Sequence, residues 1–180
     1  MSLLHAHESL LLIVDVQRAL TPSIHDGGAL VDRIERLARA AHLLDVPVVA
    51  TEHCADKIGP TVDSLTPWIG RTFHKTYFDA TREPDFLPGL PRHRPRVLLA
   101  GMEAHVCVLQ TALGLAAAGL SPMLVQDGIG SRREADMLAA QARWAGCRGL
   151  GLTSEMAMFE WLESARHPRF REVLSLIKQS

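Results

Sequence analysis

"LLAGMEAHVCVLQTALGLAAAG", residues 98–119, opens as a short apolar strand and continues as a helix rich in alanine and leucine. Gly119 stops that helix, and "SPMLVQDG", residues 121–128, follows as a second apolar run. A strand, a helix and another strand joined by such short connections make a parallel crossover, which is right-handed in nearly all folds.

The same alternation runs outward in both directions. Upstream, "SLLLIVDV" (residues 9–16) is apolar almost throughout and too short for a core helix, so it reads as a strand buried on both faces of a parallel sheet. In "DGGALVDRIERLARAAHLLD" (residues 26–45), Leu30, Ile34, Leu37, Ala41 and Leu44 recur at helical spacing with charges opposite. A β-branched run at residues 46–51 is the second strand, "RTFHK" (71–75) a weakly patterned third, and "PRVLLAG" (95–101) the fourth. Downstream, residues 131–146 read as an amphipathic helix, 147–154 as a sixth strand, and 154–163 and 168–178 as closing helices. Crossovers on either side of the first strand place helices on opposite sheet faces. The expected fold is therefore α/β: a three-layer αβα, Rossmann-like domain over residues 1–180, with a six-stranded parallel sheet in the order 3-2-1-4-5-6.

With 19 Lys and Arg against 20 Asp and Glu, the formal charge is -1, which offers no cationic excess to a phosphate backbone or an anionic lipid surface. Nucleic acid and membrane are poor partners, and a small molecule is the expected one. The three cysteines, Cys54, Cys107 and Cys147, lack metal-type spacing, and an odd number suits a reducing compartment. The first residues carry no cationic lead and their apolar run is broken by Asp15, so no signal peptide or span is expected and the reading is cytoplasmic. Neither G-x-G-x-x-G nor G-x-S-x-G occurs, so nucleotide and serine-hydrolase readings lack their motifs, and no cofactor is expected.

Ligands of open parallel sheets gather at the carboxyl ends of the strands. The first strand ends in Asp15, with Gln17 beyond it; the second brings Thr51, Glu52 and His53; the third brings His74 and Lys75; the fourth leads to Glu103, His105 and Cys107; the fifth brings Gln126 and Asp127. A carboxylate closing an apolar strand must be paired, hydrogen-bonded or protonated. Capping of the following loop would serve Asp15 as well as catalysis would. Cys107 falls in the expected first helical turn, where free N–H groups and the helix dipole lower a thiol pKa, although most free cysteines in such helices simply pack as small hydrophobes. Lys75 taken alone is a solvated loop lysine. Together, a thiol, a base and a cation at one sheet rim are the components of an activated nucleophile.

Four segments in order, "LLIVDVQ" (11–17), "VVATEHCADKIGPTV" (48–62), "FHKTYFDA" (73–80) and the stretch around Cys107, resemble the isochorismatase-like cysteine hydrolases, a superfamily that includes nicotinamidases and N-carbamoylsarcosine amidase. "DGIGSR" (127–132) extends the resemblance, which is strongest to small members of uncertain substrate. It implies a triad of Asp15, Lys75 and Cys107, a cis peptide at Met102–Glu103, and an oxyanion hole from the N–H groups of Glu103 and Cys107. It further implies a homo-oligomer and hydrolysis of a non-peptide C–N bond through a thioester. Metal-dependent nicotinamidases carry an Asp-x-His motif where this chain has "TEHCADK", so no metal is expected. Gln17, Glu52, His53, Trp68, Tyr77, Phe78 and His105 are the candidate pocket residues. Two other readings stand beside this one: vinyl-ether hydrolysis with Asp15 as acid, and a non-catalytic assembly or binding module of the same fold.

Overall fold

In the computed structural model, which describes residues 3–179, the first apolar run becomes β1 (Ser9–Val14), buried at every position. Each Leu, Ile or Val so buried contributes roughly 2 kcal/mol of transfer free energy, so this strand anchors the sheet. It lies between β2 (Val48–His53) and β4 (Arg96–Met102), with Leu11 opposite Val48 on one side and Leu98 on the other. Outside β2 runs β3 (Arg71–Lys75), and beyond β4 come β5 (Ser121–Gly130) and β6 (Leu150–Leu152). All strand pairs are parallel and the order is β3-β2-β1-β4-β5-β6, as the alternation predicts.

The pleat of β1 divides the core. Leu11 and Ile13 face α1 (Gly27–Leu43), α6 (Ser154–Leu162) and α7 (Phe170–Ile177) through Ile34, Leu37, Trp161 and Val173. Leu10, Leu12 and Val14 face α4 (Leu109–Ala117) and α5 (Glu134–Gly146) through Leu109, Leu115, Ala140 and Trp144. Two single-turn helices, α2 (Ala55–Ile58) and α3 (Phe86–Gly89), lie in the connections flanking β3. No helix among the described residues is long and apolar enough to cross a membrane.

Three boundaries differ from expectation for local reasons. β2 begins at Val48 because the amide of Val46 closes the end of α1 on Ala41 O at 2.8 Å. β5 extends to Gly130 through a register shift opposite Leu99 and Gly101, which carries Ile129 back into the ladder. The predicted helix at residue 104 starts as a π-helical turn, Ala104–Val108, before α4 takes over.

β1 turns toward β2 and β4 returns on its other flank, so the strand order reverses between these two neighbours. Their approach is close. Gly101 has φ +146°, and a Cβ there would collide with the Val14 carbonyl, so the position is closed to any side chain.

Candidate active site

The three predicted triad residues converge at this reversal point. Asp15 follows β1 with φ 53°, and its N–H donates to Thr51 O at 3.1 Å. Its Oδ1 accepts from Thr51 Oγ1 at 2.7 Å, while Oδ2 lies 2.7 Å from Lys75 Nζ in an ion-pair contact that lacks hydrogen-bond alignment. Both side chains are 1 % exposed. Capping of the loop after β1 therefore does not account for the carboxylate, since its oxygens are spent on β2 and β3. The Lys75 ammonium also donates to the carbonyls of Tyr77 (3.2 Å) and Phe78 (3.5 Å). It is thus a buried, fully partnered lysine and not the solvated one that its type alone suggests.

Cys107 sits in the π turn, 5 % exposed, and Asp15 and Lys75 are the two charged groups that act on its thiol. Its ionisation runs against the sequence expectation. Burial first, and the Asp15 charge second, push the thiol up to about 12, with Lys75 opposing them. Near neutral pH the resting sulfur keeps its proton, and helix-terminal stabilisation does not overcome the loss of water.

The expected cis bond at Met102–Glu103 is not found: no peptide is cis among the described residues. The chain turns instead by torsions, with positive φ at Gly101 and a left-handed Glu103 at φ 56°, ψ 58°. The Glu103 carboxylate is held by Arg132 Nε at 3.0 Å, with His105 Nδ1 3.6 Å from its other oxygen. His105 Nδ1 pairs with Ser131 Oγ at 3.0 Å. Glu103 and His105 thus form a network beside the Cys107 turn.

The candidate pocket residues separate into three groups. Gln17 and Glu52 stitch the long 52–70 connection. Gln17 bonds His53 O (3.1 Å), Gly59 O (2.6 Å) and His53 N (2.9 Å), and Glu52 accepts from Thr61 N at 2.7 Å and Thr61 Oγ1 at 2.8 Å. His53 and Phe78 stack at 5.2 Å. Burial and the Lys75 charge lower the imidazole pKa, and its Nδ1 is buried without a partner. Phe78 and Tyr77 are partly exposed, with Arg82 over the Tyr77 ring at 4.4 Å. Trp68 lies elsewhere. It packs on His42 and Arg39 of α1 and borders a cleft with Leu176 of α7, on the opposite helical layer from Cys107, so it is not a wall of this site.

Four contributors were not legible. Glu83 accepts from Thr76 N (2.7 Å) and Tyr77 N (3.1 Å), and these amide bonds hold its carboxylate below the usual range. Thr111 contacts the same loop from α4, and Arg132 and Ser131 hold the Glu103 network. Glu83 left no trace, whereas Ser131 and Arg132 lie in the "DGIGSR" run and Thr111 is four residues beyond Cys107 on the same helical face.

Residues 9–153 match the family described as the Isochorismatase domain. Isochorismatase domain-containing protein 2 of Rattus norvegicus is 35% identical over 175 residues, covering 95% of this chain and 81% of that protein. Among solved structures, MAR1 ribonuclease from Caenorhabditis elegans superposes with a TM-score of 0.92 at 30% identity, covering 99% of this chain and 94% of that one. The Escherichia coli YcaC gene product, described as an octameric hydrolase of unknown specificity, shares the fold with a TM-score of 0.84 at 18% identity, covering 99% and 98%.

Proposed function

The chain belongs to the isochorismatase-like hydrolase family, and from that premise we propose that it is a cysteine hydrolase cleaving a non-peptide, amide-type C–N bond of a small molecule. The observation that carries this reading is the buried Asp15–Lys75 pair, 2.7 Å apart, with the Cys107 thiol against both. A structural ion pair has no need of a thiol beside it, whereas nucleophilic catalysis needs all three groups.

As the sulfur attacks the carbonyl carbon, its proton passes to Asp15, and an S–C bond forms while the carbonyl π electrons move to oxygen. Because the resting thiol is protonated, attack and proton transfer are coupled, and no free thiolate waits in the site. The N–H groups of Glu103 and Cys107 are the proposed donors to the oxyanion. A π turn begins with amides that have no intrahelical acceptor, and Cys107 lies within it. Asp15 then delivers the proton to the leaving nitrogen, the C–N bond breaks, and a thioester remains. Water gives a proton to Asp15 and attacks the thioester, the C–S bond breaks, and Asp15 returns the proton to sulfur. Throughout, Lys75 stays beside the carboxylate and offsets negative charge wherever the proton resides.

The test is ammonia release from a panel of small amides, with Cys107→Ala as the control. Turnover in the parent that vanishes in the alanine variant supports the covalent route. Retained turnover refutes it; cleavage of a vinyl ether by both proteins, with no amide turned over, would instead favour Asp15 acting as the acid. The name of the C. elegans structure raises ribonuclease activity as a second reading. RNA cleavage by this chain with no amide turned over would favour it, against a formal charge of -1 that offers phosphates little attraction.

A further inference from the structure

We infer that Thr111 is a positioning residue that ties the nucleophile turn to the loop holding Lys75, and so sets where the ammonium stands relative to the Cys107 thiol. This rests on the triad reading above. Thr111 lies on α4 four residues beyond Cys107 and is wholly buried. Its hydroxyl donates to Phe78 O at 3.3 Å and accepts from Ala80 N at 3.1 Å, so it uses both of its capacities on one loop. The carbonyl of Phe78 also accepts from Lys75 Nζ at 3.5 Å. One carbonyl oxygen therefore joins the helix that carries the sulfur to the lysine that stabilises it.

The arrangement answers a physical need. Lys75 hangs on four rotatable bonds and enters from β3, two strands away from Asp15. Asp15 holds it from one side by charge, and the Tyr77 and Phe78 carbonyls must hold it from the other. Those carbonyls belong to a loop, and a loop held only through its exposed end would drift. Glu83 clamps that end through Thr76 N and Tyr77 N. Thr111 fixes the buried end and references it to the Cys107 helix. The same bond sets the Phe78 backbone and thereby the ring stacked on His53.

Thr111→Val keeps the shape and deletes both hydrogen bonds, Thr111→Ala deletes them with less volume, and Thr111→Ser restores them. The readout is the rate of iodoacetamide labelling of Cys107 in the folded protein at pH 9, followed by mass spectrometry of its peptide, with thermal midpoints measured in parallel. Lys75 is the group that lowers the thiol pKa. Its displacement by one pKa unit's worth of interaction cuts the thiolate fraction, and hence labelling, about tenfold in Thr111→Val and Thr111→Ala. Thr111→Ser is expected to label at the parental rate. A merely structural hydroxyl would lower the thermal midpoint and leave labelling of the folded protein unchanged; that result overturns the proposal. Retention of amide hydrolysis by Cys107→Ala would instead overturn the triad reading, so the two failures are told apart.

Discussion

Replacing Asp15 with asparagine should make Cys107 a more ionised thiol and, at the same time, abolish hydrolysis. The carboxylate raises the thiol pKa both by its charge and by accepting the thiol hydrogen bond, and together with burial it accounts for a value of about 12. The amide side chain of Asp15→Asn would keep the shape and the contact with Thr51 Oγ1 but carry no charge. Two unit charges about 4 Å apart interact by roughly 4 kcal/mol at an effective dielectric near 20, and one pKa unit is about 1.4 kcal/mol. Burial is the larger cause and remains in the variant, while Lys75, freed of its carboxylate, acts more fully on the sulfur. A fall of at least about one unit follows, equivalent to about tenfold more thiolate at any pH below the new value. Iodoacetamide labelling of Cys107 between pH 7 and 10 measures this directly, in a background where Cys54 and Cys147 are replaced by serine. Amide hydrolysis, which needs Asp15 to carry the proton to the leaving nitrogen, should disappear. Slower labelling in Asp15→Asn at every pH would refute the reasoning, because the carboxylate would then be stabilising the thiolate.

Other outcomes follow from the same contacts. Lys75→Met leaves the buried Asp15 carboxylate without its cation and should cost about 3–5 kcal/mol of stability in urea unfolding at pH 7, with loss of turnover. Glu83, held below the usual carboxylate range by the Thr76 and Tyr77 amides, lends stability that is complete above its unfolded pKa near 4.5 and lost as pH falls through the lower folded value. The group is half-buried and partly open to water, so the effect is under about 1 kcal/mol, and Glu83→Gln should flatten the acid limb of a melting-temperature profile. Leu138, Met156 and Phe159 stand exposed on α5 and α6, and burying them against a second copy leads us to expect a homo-oligomer. Light scattering should then return a multiple of the 19.8 kDa chain mass, and a monomer at micromolar concentration would refute it.

Periodicity made the sheet legible because burial on both faces demands unbroken apolar runs, and β1 and β4 are such runs. It marked β3 at Arg71–Lys75 only weakly, because only Phe73 and Lys75 are buried there. Asp15, Lys75 and Cys107 were legible as strand-end polar residues. Their distances and the direction of the thiol pKa were not, since desolvation depends on the packing of α4 against the sheet. Trp68 misled because an aromatic in an irregular loop carries no signal of which helical layer it joins. The cis peptide that the resemblance implies at Met102–Glu103 is absent, and the backbone there turns by positive φ at Gly101 and Glu103. Glu83 stayed hidden because its role is to accept hydrogen bonds from backbone amides, and backbone groups are identical in every sequence.

The protonated resting state of Cys107 has a bearing on chemical durability. Peroxides and disulfides react with thiolates and with exposed sulfur, and this nucleophile at rest is neither. Cys147, which is exposed, presents the more accessible sulfur to an oxidant. The burial that, in the proposed mechanism, obliges Asp15 to carry the proton during attack thus also shields the sulfur, and oxidative ageing of the protein should begin at Cys147, outside the proposed triad.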